Sequence, residues 1–482
     1  TVSLIRQHEN IFCRRNKINK GATKLKINAE NHVSVRASHT QDMWRARSLC
    51  LPLFFAFISL ANTLPKLTPS IPSPKPPLHR PSPKPKPALI KNNYRNVSQL
   101  ITSSGYPVRE YNVTTGDSYI LMIQRIPRGR EEPRGKRKRK PVAFLMTGLL
   151  SSSADYVVNL PGQSLGFILA DNGFDVWLGN VRGTIYSSHE HLKKWQTRYW
   201  DFSFDEMIHF DLPDQIDFIL RKTRQSSLLY VGWSQGSLIM FGLLASKPHY
   251  NQKVRLFNAI APVAYLGHMT SEVSEIVPFA DFLNGLLQMT LHGAFLEPSG
   301  PVFEQIKEEE CGSSKQGPAC KAAFKLFNGG FPVEMNKTRF PVYMYNNPAG
   351  SSVRNMYHFA QIIRDNRCQM FDWGPLKNMK IYGQKRPPEY DLTKVTAPVA
   401  LYWSVGDVLA RPTDVRHLAN RLPNVVLSYK VPVRGFTHID FMWSIEAKYH
   451  LYKKILYMMQ QYSQEQSEQL PSLSTNRSTV HV

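Results

Sequence analysis

The chain has 482 residues and 42% hydrophobic content, enough to bury one large core or two ordinary ones, which excludes a protein that is disordered overall. Its formal net charge of +24 invites a nucleic-acid or anionic-surface function. Four stretches, 1–42, 43–63, 64–91 and 128–140, carry +19 of that charge. The remainder is nearly balanced, so no basic groove is expected within the fold and nucleic acid is not an expected partner.

Residues 1–42 contain no methionine and are read as an extension outside the working protein, derived from untranslated sequence or artefactual. Residues 43–63, MWRARSLCLPLFFAFISLANT, have the three parts of a secretory signal: a basic start, an apolar stretch from Leu49 to Leu60, and small residues near Ala61. That stretch is short for a bilayer, so no transmembrane segment is expected in the mature chain. Residues 64–92, rich in proline and lysine, read as an extended linker. The folded domain is expected over 93–462, and the polar stretch 463–482 as a disordered tail.

Within 93–462, YILMIQRI (119–126) and PVAFLMTG (141–148) predict strands, with the basic RGREEPRGKRKRK between them as an exposed hairpin loop. A solvated charge run is its expected role; RGKR within it also resembles a convertase cleavage site. FDVWLGN (174–180), LLYVGWS (228–234), LFNAIAPV (256–263), APVALYWSVGD (397–407) and VVLSYKVPV (425–433) predict further strands. Segments between them, such as 204–223, have helical periodicity. Strand alternating with helix predicts a mostly parallel α/β sheet covered on both faces. The interval from about 265 to 395 breaks the rhythm and reads as an insertion over the sheet.

Export also bears on cysteines and sequons. Cys13 and Cys50 fall in segments expected to be absent from the mature chain, which leaves Cys311, Cys320 and Cys368. In an oxidising compartment the near pair Cys311 and Cys320 can close a short loop, with Cys368 as the odd thiol. Zinc is a poor alternative, since no second cysteine or histidine pair lies at ligand spacing nearby, and neither a metal nor a cofactor is expected. Sequons at Asn96, Asn112, Asn336 and Asn476 fit a secreted or lysosomal glycoprotein.

Gly-Trp-Ser-Gln-Gly (232–236) sits where a buried strand turns into the helical pattern QGSLIMFGLLAS. In a G-x-S-x-G elbow the serine occupies a strained backbone position, and side chains at Gly232 and Gly236 would collide with the strand and helix. Ser234 is the candidate nucleophile, and the helix N-terminus favours an oxyanion beside it. A serine needs a base oriented by a carboxylate, in the chain order Ser, Asp or Glu, His. Asp407 follows APVALYWSVG and His438 follows VVLSYKVPVRGFT, as that order requires. Among rivals, Asp414 opens a helix, where a capping or surface role is expected; His417 lies exposed on that helix; His209 precedes Ser234 in the chain. The oxyanion donors expected are the backbone N–H groups of Gln235 and of Leu149, after Gly148.

Taken with NVSQLITSSGYPV, GYPVREYNVTTGDSYILMIQRIPRGR, the 148–183 stretch, WDFSFDEMIHFDLPDQIDFIL, NPAGSSVRNMYHFAQ, FDWG and THIDFMW, the chain resembles the acid lipase family of α/β-hydrolases, from about 93 to 462. The resemblance implies a secreted or lysosomal glycoprotein that hydrolyses fatty-acyl esters, triacylglycerol or cholesteryl ester, through an α/β-hydrolase fold with an inserted cap and lid. It implies Ser234, Asp407 and His438 as the triad, Leu149 and Gln235 as oxyanion donors, and a cap disulfide between Cys311 and Cys320. Two departures stand out: Thr147 and Trp233 occupy positions where the family usually has histidine. Val181 replaces its usual serine before Arg182 and Gly183. The stretch IVPFADFLNGLLQMTLHGAFL (276–296) has the character of an interfacial cap helix or lid. The partners expected are a lipid ester and a lipid–water interface, with a monomeric chain; the alternative function is a non-catalytic lipid-binding or storage protein.

Overall fold

The computed structural model describes residues 95–133, 139–297, 310–311 and 316–468. The signal, extension and linker expected over 1–92, RGKR, Cys13, Cys50 and Asn476 all lie outside the described residues. The strands are β1 (Arg109–Thr114), β2 (Tyr119–Ile126), β3 (Val142–Met146), β4 (Asp175–Gly179), β5 (Ser187–His189), β6 (Leu228–Trp233), β7 (Val254–Ile260), β8 (Ala294–Phe295), β9 (Ser351–Ser352), β10 (Val399–Trp403) and β11 (Val425–Lys430). The main sheet runs β1-β2-β4-β3-β6-β7-β10-β11, with β5 added on β2. From β4 to β11 every neighbouring pair is parallel; β1, β2 and β5 pair antiparallel. Every residue of β3, β4 and β6 is buried, which requires cover on both faces and explains why these strands read as continuous apolar runs.

The expected strands are present, most with their ends trimmed; β7 begins at Val254, ahead of the 256 expected, and β2 runs over 119–126 as read. The hairpin is corrected: β2 pairs with β1 and β4, β3 with β4 and β6, so β4 lies between β2 and β3 and the two do not pair with each other. The reason is burial. The wholly buried β3 takes a central place between two parallel neighbours, whereas β2 has the mixed burial of a strand near the edge. The outermost strand β1, whose residues are mostly exposed, carries no run of apolar residues that would mark it in the sequence. The last helix, Lys453–Glu468, also continues past 462, since SQEQSE is rich in good helix formers.

Between β7 and β10 no described residue joins the main sheet. The interval holds the helices Ala280–Leu291, Pro318–Asn328, Phe340–Asn346, Val353–Asp365 and Pro375–Tyr382, and the two-stranded β8–β9 ladder. Cys311 and Cys320 form a disulfide there, and Cys368 is a free, buried thiol whose pKa burial pushes up to about 12. Asn96 and Asn112 are exposed; Asn96 also caps the helix Val97–Ser103, accepting from the Gln99 N–H at 2.9 Å.

Arg182, which follows the end of β4, is buried between two carboxylates. Its guanidinium donates to Asp117 at 2.6 and 2.8 Å and to Asp211 at 2.8 Å, and its backbone N–H donates to Asp211 at 2.8 Å. Asp211 is fully buried, so removing the cation leaves an uncompensated interior charge. Arg182→Met is expected to lower the unfolding free energy by about 3–5 kcal/mol at pH 7, measured by urea titration. Losing Arg182 removes the main influence that lowers the Asp211 pKa and leaves burial to raise it further. The variant's native state then takes up a proton that the unfolded chain does not, so its deficit should shrink as pH falls from 7 towards about 4.5. A deficit that grows as pH falls contradicts this account.

Candidate active site

Ser234 links β6 to the helix Gln235–Ser246 with φ 53° and ψ −117°, a conformation that side chains rarely adopt. The two glycines of GWSQG make that turn possible. A Cβ on Gly232 would lie 2.5 Å from the Gly236 carbonyl oxygen, and one on Gly236 would lie 2.4 Å from the Met146 carbonyl oxygen at the end of β3. The Ser234 N–H donates to Ile260 at the end of β7 at 3.0 Å, so the elbow is held by both neighbouring strands. The helix behind it is buried from Gln235 to Ala245, which fixes the direction of its N-terminus.

Asp407 and His438 come from the loops after β10 and β11. Those loops meet closely: a Cβ on Gly406 would lie 2.6 Å from the Gly435 carbonyl carbon and 2.7 Å from the Phe436 oxygen. Ser404 Oγ donates to the Phe436 carbonyl and accepts from the Asp407 N–H at 3.2 Å. Asp407, fully buried, receives the Leu409 and Ala410 N–H groups on Oδ1 at 2.8 and 2.9 Å. Its Oδ2 lies 2.8 Å from His438 Nδ1. That contact leaves Nε2 as the nitrogen able to act on another group. Nε2 and the Ser234 hydroxyl are not joined by a hydrogen bond among the described residues; His438 reaches the elbow through Trp233, ring centroids 5.5 Å apart.

Leu149 lies in the turn after β3. Positive φ falls on Leu150, at 60°, and not on Gly148. Gly148 is needed for close approach instead: a Cβ there would be 3.0 Å from the Trp233 ring and 3.2 Å from Ser234 Cβ. The turn therefore lies directly against the serine. The Leu150 carbonyl accepts from the Ala349 N–H at 2.6 Å, and the Gln235 side chain accepts from Asn355 at 2.8 Å. Residues of NPAGSSVRNMYHFAQ thus hold the neighbour of Leu149 and the side chain of Gln235. Chain order alone gives no sign of Asn355 in this role, nor of Ser404, Gly406 and Gly435.

Thr147 and Trp233 are buried beside this turn, and Thr147 Oγ1 and Trp233 Nε1 find no hydrogen-bond partner among the described residues. The rivals separate cleanly. Asp414 is corrected: it is buried, and it accepts the His268 N–H at 3.0 Å and contacts His268 Nδ1 at 2.6 Å. It therefore ties the start of the interval after β7 to the helix Pro412–Arg421. The cap position belongs to Arg411. His417 is exposed as expected, against Tyr265. His209 lies within the helical run 204–223, in a π-turn, Met207–Asp211. Among the described residues no cluster of His, Cys, Asp and Glu could hold a metal ion.

Residues 97–160 match the partial α/β-hydrolase lipase region, and residues 163–444 match the α/β hydrolase fold family. Gastric triacylglycerol lipase of Mus musculus is 40% identical over 366 residues, covering 76% of this chain and 91% of that protein. Lipase member K of Homo sapiens is 38% identical over 372 residues, covering 77% and 92%. Lipase member M of Homo sapiens is 36% identical over 383 residues, covering 78% and 88%.

Proposed function

The chain belongs to the acid lipase family of α/β-hydrolases, and we propose that it hydrolyses fatty-acyl carboxylic esters, triacylglycerol first among them, through an acyl-enzyme on Ser234. The observation that carries this reading is the buried Asp407–His438 pair set beside a serine on a positive-φ elbow. Ser234 Oγ attacks the ester carbonyl while His438 Nε2 takes its proton, and Asp407 holds the imidazolium through Nδ1. The Leu149 and Gln235 N–H groups donate to the oxyanion. Collapse expels the alcohol with the proton from His438, and water, deprotonated by the same imidazole, releases the fatty acid and restores Ser234.

The interval between β7 and β10 acts as cap and lid in this reading. Phe279, Phe282 and Met289 on and before the helix Ala280–Leu291 are 48%, 66% and 80% exposed, suited to meet a lipid phase. Secretion or lysosomal delivery, with glycans at the sequons, accords with this substrate class.

The test compares emulsified triolein with soluble p-nitrophenyl butyrate. The parent protein should hydrolyse both. Phe282→Ser with Met289→Ser should lower the rate on triolein by about tenfold or more while sparing the butyrate, since each change removes on the order of 2 kcal/mol of apolar burial at the interface. Activity on butyrate without any on triolein would make the protein an esterase of small substrates, and binding of triolein without hydrolysis would make it a lipid carrier.

A further inference from the structure

We infer that Asp440 is a positioning residue for His438, and that it ties the loop of the base to segment 329–335 of the interval between β7 and β10. The inference rests on the proposed role of His438 as the base. Asp440 is fully buried two residues beyond it. Its Oδ2 accepts the Thr437 N–H at 2.6 Å and the Thr437 hydroxyl at 2.7 Å, which closes a turn with His438 inside it. Its Oδ1 accepts the Val333 N–H at 2.9 Å, from the far side. Three donors converge on one carboxylate, and only an acceptor on both oxygens satisfies them all; an amide would turn its NH2 onto at least one. Burial pushes this carboxyl up to about 6, so the fold holds the group there at a cost that a merely space-filling residue would avoid.

The same segment grips both loops. The Ile445 N–H donates to the Glu334 carbonyl at 2.9 Å, and Met335 pairs with Ser444 in an antiparallel bridge. A Cβ on Gly435 would lie 3.7 Å from the Val333 side chain, and one on Gly329 would lie 2.7 Å from Val408, the neighbour of Asp407. The helix Pro318–Asn328 that leads into this segment carries Cys320 of the disulfide and packs Phe324 against Trp443. A shift of segment 329–335 therefore moves the turn that holds the imidazole, and a displacement of about 1 Å at a reacting group can cost about 100-fold.

Asp440→Asn, Val333→Pro, Thr437→Val and the double variant that combines Asp440→Asn with Val333→Pro are compared on p-nitrophenyl butyrate and in the rate of Ser234 labelling by a fluorophosphonate. Asp440→Asn should lower kcat by about 10- to 100-fold with KM within about twofold, and should slow labelling in the same ratio. Val333→Pro, which removes the donor from segment 329–335 and leaves Asp440 both of its Thr437 donors, should lower kcat severalfold. The double variant should be no worse than Asp440→Asn, because both remove one tie. Folding is checked by near-UV circular dichroism, and Thr437→Val, which keeps the carboxylate, supplies the measurement if Asp440→Asn does not fold. Unchanged kcat and labelling in the folded variants overturn the inference, as do additive losses in the double variant. An inactive parent protein would instead overturn the role of His438 on which the inference rests.

Discussion

Ser234→Ala is expected to lower kcat for ester hydrolysis by about 10⁴- to 10⁶-fold, because the hydroxyl is the only group at the elbow able to form the acyl-enzyme. The serine is placed by backbone: its φ of 53°, the two glycines that admit strand β3 and the helix, and the N–H bond to Ile260. None of these needs the hydroxyl. The variant should fold with unchanged stability, bind substrate with KM little altered, and lose the chemical step. Residual activity within about tenfold of the parent would mean that water is activated without the serine, and the acyl-enzyme account would fall.

Asp407→Asn is expected to lower kcat by about 10⁴-fold, and the geometry says why so small a change is so costly. Oδ1 of Asp407 receives two backbone N–H groups, from Leu409 and Ala410. An asparagine must present its oxygen to them, since its NH2 would oppose both donors. The NH2 then faces His438 Nδ1, donates to it, and leaves the proton of the neutral ring on Nε2. That tautomer cannot accept the proton of Ser234. Substrate binding and folding should change little, so the loss should appear in kcat and not in KM; a loss confined to KM would show that Asp407 shapes a binding site.

Much of this site was legible because its local parts are written locally. The elbow needs two glycines around a serine at a strand–helix junction, and Asp407 and His438 each follow a strongly apolar strand. Pairing is a different kind of information. That β2 and β3 are separated by β4 depends on which buried strand finds which neighbour, and the adjacent positions of 119–126 and 141–148 in the chain suggested a hairpin instead. Asp414 misled for a related reason: its partner His268 is 146 residues away and nothing near position 414 announces it. The close crossing of Gly406 over Gly435, the brace from Asn355 to Gln235 and the tie from Asp440 to Val333 are likewise contacts between distant segments. Thr147 and Trp233 were legible only as departures from a family pattern. The structure adds that each buries a polar atom with no hydrogen-bond partner among the described residues, beside the turn after β3, with Trp233 set against His438.

The central claim is that Ser234 carries the acyl group. It is tested most directly by intact-mass analysis of the protein quenched in acid during turnover of a p-nitrophenyl ester, followed by mapping of the modified peptide. The expected result is one acyl adduct per chain, on the peptide spanning 228–241, absent from Ser234→Ala and formed more slowly by Asp407→Asn. Turnover with no adduct, or with the adduct on another residue, would contradict it.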